Sequence, residues 1–192
     1  ILQSAATLFL EKGYLKVPMR EIAHKSGVGL SNIYNYFSCK DDIFVQIVTP
    51  AVRTFENMLD EHHGRRGTDI MAMCDRDYFK YMVAEYTSFI HRHRDLLLLL
   101  LFRSQGSSLE NYKEEFARKS TALVKEYFTL MKHKHPQLET DISDFSIRMH
   151  TVWMFALFEE LLMRRVKPDE IEKVVTEYMT IEVAGWRELM KI

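Results

Sequence analysis

REIAHKSGVGLSNIYNYFSCKDD, residues 20–42, holds two short helical patterns separated by a glycine-containing turn, with a third helix start directly behind them. In the first, Ile22 and Ala23 point one way while Arg20, His24 and Lys25 point the other, and Pro18 just ahead suits the first turn of a helix. Gly27 is the residue type that ends a helix in the left-handed conformation, which lets Val28 plug the gap between neighbouring helices. The next helix is expected over residues 30–37. Ile33 and Phe37 lie one turn apart on its inner side and leave Ser31, Asn32 and Asn35 outside. Ser38 is a capping residue type, and Asp41 and Asp42 behind it suit the positive end of a helix dipole. Two helices joined this closely can set the second into a DNA major groove, about 12 Å wide, so the stretch predicts a reading helix.

Upstream, the apolar positions Ile1, Leu2, Ala5, Leu8 and Phe9 follow a helical period that Gly13 stops. Downstream, Ile43, Phe44, Ile47, Val48, Val52, Phe55 and Leu59 mark one long helix, with a bend expected at Pro50. HHGRRG at 62–67 reads as a linker. Further helices are expected near 69–92, 94–104, 109–134, 141–165 and 168–190, with breaks at Gly106-Ser107-Ser108, His135-Pro136 and Lys167-Pro168. Strand alternation and internal repeats are both absent. The expected fold is all-α, with a helix-turn-helix domain over 1–48 and a larger helical domain over 49–192.

With 192 residues, 47% of them hydrophobic, the chain can bury a substantial core. Its 26 basic and 27 acidic residues leave a net charge of -1, which argues against nonspecific coating of a polyanion. Specific DNA contact then needs backbone donors and polar side chains as well as lysines. The longest apolar run, Leu96 to Phe102, falls far short of the roughly 18 residues of a membrane span, so no membrane is expected as a partner. Cys39 and Cys74 alone form no disulfide framework and no zinc signature, which fits a reducing cytoplasm. Ile1 and Leu2 already lie inside a helical pattern with no start methionine, so a leading segment is expected, and nothing there resembles a signal peptide. An enzyme is disfavoured, and no cofactor or metal is expected. There is no glycine-rich phosphate cradle, nucleophile elbow or HExxH spacing, and Glu56, Glu159 and Glu160 lie in ordinary helical patterns. His62-His63, His91 with His93, and His133 with His135 read as solvated polar residues near helix ends.

The fuller pattern, AATLFLEKGY at 5–14 followed by REIAHKSGVGLSNIYNYFSCKDDIF at 20–44, closely resembles the amino-terminal domain of the TetR family of transcriptional regulators. The resemblance rests on Ala6, Phe9, Gly13, Tyr14, Ile22, Ala23, Gly27, Val28, Tyr34, Phe37 and Lys40. Beyond residue 48 it is one of organisation only. It implies that Arg20 reaches the major groove, where a guanidinium can pair with guanine, and that Ser31, Asn32 and Asn35 occupy the exposed side of the recognition helix. Asn32 and Asn35 have the chemistry either to read adenine or to bind phosphate. Tyr34 and Tyr36 match positions that touch the sugar-phosphate backbone, and Lys40 matches a phosphate-binding lysine. Two positions depart from the pattern. Leu30 stands where a polar residue is usual, and either packs on thymine methyl groups or turns inward. Val17 stands where threonine usually caps the second helix.

In the carboxy-terminal part, a ligand cavity is expected among the middle helices, with Tyr78, Met82, Tyr86, Phe116 and Trp153 as candidate wall residues; ordinary core packing explains most such aromatics equally well. Residues 142–162 and 171–190 are apolar around more than one face, which predicts a homodimer through the last two helices. The resulting expectation is a dimeric repressor that binds palindromic operator DNA and is released by a small, mainly hydrophobic effector. The main alternative is a helical protein-interaction module without sequence-specific DNA binding.

Overall fold

The computed structural model describes residues 1–192, and every regular element in it is helical. The helices are α1 (Leu2–Lys12), α2 (Met19–Ser26), α3 (Leu30–Tyr34), α4 (Lys40–His63), α5 (Ile70–Met73), α6 (Arg76–Phe102), α7 (Tyr112–Lys134), α8 (Asp144–Met163) and α9 (Pro168–Met190). The fold is therefore all-α, and no helix is long and apolar enough to cross a membrane.

Local chemistry sets most of the boundaries. Gly27 ends α2 in the left-handed conformation at φ 67°, ψ 23°. Its N–H donates to the His24 carbonyl and the Val28 N–H to that of Ala23, each at 3.2 Å, which satisfies carbonyls at the helix end. No side chain caps the start of α2, where Pro18 precedes the first helical residue. Helix α3 is shorter than its apolar pattern, because the N–H groups of Tyr36 and Phe37 both turn back to the Ile33 carbonyl at 3.0 Å. At the start of α4 the acid that reaches back is Asp42, whose Oδ2 accepts from the Ser38 and Cys39 N–H groups at 2.8 and 3.2 Å. Asp41 instead accepts the Ser108 N–H at 2.9 Å.

Helix α4 runs on through Pro50 and includes His62 and His63, which the sequence pattern had assigned to a linker. The break expected between 92 and 94 is a kink: α6 is continuous around His93, whose φ of -113° and ψ of 17° leave the helical region. The expected helix over 69–92 starts instead as the short α5, which Asp69 caps by accepting the Met71 N–H at 2.8 Å.

The chain forms two compact units, one of residues 1–54 with 93–112 and one of 55–92 with 113–192. In the first, the rings of Phe9, Tyr14 and Phe44 pack with centroids 5.1–5.6 Å apart. Ile22, Ile33, Ile43 and Val48 are fully buried around them, each contributing on the order of 2 kcal/mol by its removal from water. The Tyr14 N–H donates to the Arg103 carbonyl at 2.9 Å, which ties the residues after α6 to this core. In the second unit Phe55 stacks on Phe89 and Phe116, at 5.3 and 4.4 Å, and meets Phe155 and Phe158 edge-on at 5.6 Å.

Candidate DNA-reading surface and effector cavity

Helix α3 is pinned by one side chain. Ile33 is fully buried, and the residues around it on the helical period, Ser31, Asn32, Tyr34 and Asn35, are exposed. Tyr36, just past the helix, is 78% exposed, more than a ring that merely covered the core edge would be. Leu30 is half-buried. Arg20, on the first turn of α2, is exposed and makes no salt bridge. Nearby lysines are less free: Lys12 pairs with Glu21, and Lys25 stands 3.6 Å from Glu11.

Lys40 is held more firmly than its sequence position suggested. Its Nζ donates to the Tyr14 carbonyl at 2.8 Å and lies 4.1 Å from the centre of the Tyr14 ring. Burial lowers the Lys40 pKa from its ordinary value. The Tyr14 hydroxyl is pushed up to about 12, by burial first and then by the nearby Asp41 and Cys39. Lys40 thus joins the exit of α1 to the start of α4, and two of its three ammonium protons remain for another acceptor.

The second unit encloses a largely apolar cavity of about 140 Å³ between α4, α6, α7, α8 and α9. Met82, Tyr86 and Phe116 stand on its wall. Tyr78 and Trp153 do not. The Tyr78 hydroxyl is engaged with His62 and with Thr68 Oγ1, the latter at 3.1 Å, while Trp153 is 56% exposed on the outside of α8. An aromatic residue on an amphipathic helix reads the same in sequence whether its face meets a cavity or solvent, so the pattern alone does not separate Tyr78 and Trp153 from the wall residues.

Several polar wall residues had no place in the expected site. His62 is buried rather than solvated, and His63 is half-buried with its Nδ1 out of water. His62 is 4% exposed and its Nε2 meets Glu85 at 2.7 Å, while the His63 ring stands edge-on to Tyr127 at 5.2 Å. Burial first, and then the neighbouring imidazoles of His62 and His150, push His63 down to about 3. His150 contacts the buried Glu182, and Trp186 Nε1 lies 3.4 Å from the same imidazole nitrogen. The signal for Glu182 was present: it continues the inward series Ile171, Val175, Tyr178 and Met179 on α9, a position where a solvated acid does not belong. His135 is likewise half-buried, 2.9 Å from Asp69.

Residues 1–47 match the sequence family described as "Bacterial regulatory proteins, tetR family". The probable HTH-type transcriptional regulator YttP of Bacillus subtilis is 26% identical over 96 residues, which is 50% of this chain and 44% of that protein. The match to that curated relative thus spans less than half of its length. Among solved structures, the fatty acid degradation regulator FadR from Bacillus halodurans is similar at TM-score 0.67 and 18% identity, over 97% of this chain and 94% of its own. NalD, the secondary repressor of the MexAB-OprM multidrug efflux pump in Pseudomonas aeruginosa, is similar at TM-score 0.59 and 21% identity, over 93% and 91%. At these identities the structural likeness bears on the fold alone, and it extends over both units. A helix-turn-helix held on a buried isoleucine and the match over residues 1–47 mark the amino-terminal part as a domain of the TetR-family type, and the chain as a whole shares the fold of solved TetR-family regulators.

Proposed function

We propose that this protein is an effector-responsive repressor that binds a palindromic operator as a homodimer. Residues 1–48 act as the DNA-reading domain and residues 49–192 as the regulatory and dimerisation domain. The observation that carries the reading is the exposed polar side of α3, with Ser31, Asn32 and Asn35 outward over a fully buried Ile33. Arg20, Leu30, Ser31, Asn32 and Asn35 supply the base-facing set, and Tyr34, Tyr36 and Lys40 the backbone-facing set.

Dimerisation is supported by apolar residues that this chain leaves exposed on its last two helices. Phe145 and Ile181, on α8 and α9, are 72% and 71% exposed, and Val152, Trp153, Met163 and Leu189 are exposed on the same two helices. A second copy presenting the same pair would bury them in a four-helix interface and set two reading helices roughly 34–36 Å apart. Met82, Tyr86 and Phe116 hold the apolar part of the effector. Binding that favours a dimer with the wrong spacing releases DNA without touching it.

Selection from a random duplex library by the purified protein tests this. An enriched palindrome is the expected result. No enriched sequence across a low-salt range would reject the reading and favour a helical interaction module.

A further inference from the structure

The effector cavity carries polar groups that an apolar ligand would leave idle. His63 Nδ1 is buried on its wall with no hydrogen-bond partner. Native interiors leave few such atoms, and an ion, a water or a ligand usually accounts for them. Glu182, 8% exposed, lies on the same wall and contacts His150, with Tyr178 one turn before it and Trp186 one turn after. The tyrosine hydroxyls here stay neutral: burial, and then Glu182, raises that of Tyr178 far above its ordinary value.

The charges on this wall decide the sign of the ligand. His62 lies against Glu85 and His150 against one carboxylate oxygen of Glu182, and burial keeps His63 neutral, so each imidazole of the inner wall that could carry charge already has a carboxylate beside it, while the other oxygen of Glu182 stays open to a donor. Arg187 also borders the cavity, but it belongs to an exposed residue whose charge water screens. The volume of about 140 Å³ is close to the roughly 150 Å³ of an apolar cavity that accommodates one benzene ring. Aromatic faces of Tyr86, Phe116 and Trp186 line the same space and attract cations.

We propose that the effector is a compact lipophilic amine, its nitrogen donating hydrogen bonds to Glu182 and to the acceptor nitrogen of His63, with a ring-sized apolar body against Phe116, Tyr86 and Trp186. The proposal rests on this cavity being the effector site and names the chemistry of its occupant.

Three probes of one shape and different head separate the alternatives: 2-phenylethylamine, 2-phenylethanol and phenylacetate. They are titrated into the full chain carrying Trp153→Phe, which leaves Trp186 on the cavity wall as the only tryptophan. The amine is expected to bind at least about tenfold more tightly than phenylacetate, and Glu182→Gln to weaken the amine about tenfold while moving phenylethanol by less than about threefold. Phenylacetate binding as tightly as the amine, indifference of the amine to Glu182→Gln, or no binding of any probe at millimolar concentration overturns the amine. The ranking of the probes on the protein with native Glu182 decides the matter even where Glu182→Gln does not fold. Library selection without ligand is read separately: an enriched palindrome beside a phenylacetate preference rejects the amine and keeps the repressor, whereas no enrichment rejects the repressor itself.

Discussion

Replacing Lys40 by methionine separates a structural role from a DNA-binding one. The ammonium donates to the Tyr14 carbonyl at 2.8 Å and sits 4.1 Å from the Tyr14 ring centre. A hydrogen bond from a charged group contributes about 1.5–3 kcal/mol and a partly exposed cation–π contact about 0.5–1 kcal/mol, so Lys40→Met is expected to cost about 2 kcal/mol of stability. The phosphate role predicts a different number. A dimer that loses two phosphate contacts lowers the slope of log K against log salt by about 1.8, since each neutralised phosphate contributes about 0.9. The assay is anisotropy of a selected duplex from about 50 to 200 mM salt, paired with urea denaturation, and Lys40→Arg should restore most of the slope. An unchanged slope in folded Lys40→Met protein would show that Lys40 only fastens Tyr14, and would remove it from the DNA contacts.

The pH dependence of stability follows from His63. Its folded pKa of about 3 lies below the unfolded value, so the unfolded state binds more protons between about 3 and 6.5 and stability falls as pH falls through that window. From pH 8 to pH 5 the native chain should lose about 2 kcal/mol more than His63→Phe, read as the shift in urea midpoint at constant m-value; equal losses would contradict the burial. Ile181→Glu and Phe145→Glu put charges on the exposed apolar face of α9 and α8 and should halve the mass seen in sedimentation while leaving helical content unchanged. A variant that stays dimeric places the interface elsewhere. Gly27→Ala meets no atom within 4 Å but must hold φ at +67°, so thermal or urea unfolding should show a loss of about 1–2 kcal/mol from backbone strain alone.

The readable parts of this sequence were those where a local rule has one outcome. Gly27 ends α2 because only glycine takes a left-handed conformation without cost, and Ile33 turns inward because it is the apolar residue within a polar turn. The break expected between 92 and 94 is met by the kink at His93. The cavity was not readable in the same way. Periodicity tells which face of a helix leaves water, but not whether the facing atoms close on it, so Phe116 and Trp153 looked alike although one lines a void and the other lies on the surface. HHGRRG misled for a related reason. Its glycines do mark a turn, but the two histidines ahead of them finish α4 and point into the second unit, where Glu85 and Tyr127 receive them.

The void also has a thermodynamic consequence that links stability to regulation. A domain is held folded by only roughly 5–15 kcal/mol, so a ligand taken up in a cavity of about 140 Å³ acts on a small balance. A ligand at a hundred times its Kd adds about 2.7 kcal/mol, so occupancy alone should raise the unfolding temperature. That rise would not by itself make the ligand an effector. A compound that binds the DNA-competent and DNA-incompetent dimers equally shifts nothing, however tightly it binds. Linkage supplies the stricter test: if the ligand weakens operator affinity by some factor, saturating operator must weaken ligand affinity by the same factor. Trp186 fluorescence, titrated with and without the selected duplex, reads one side of that equality, and duplex anisotropy with and without ligand reads the other. A ligand that raises the unfolding temperature yet leaves both affinities unchanged would be filling space, and the cavity would then be a packing defect rather than the regulatory site.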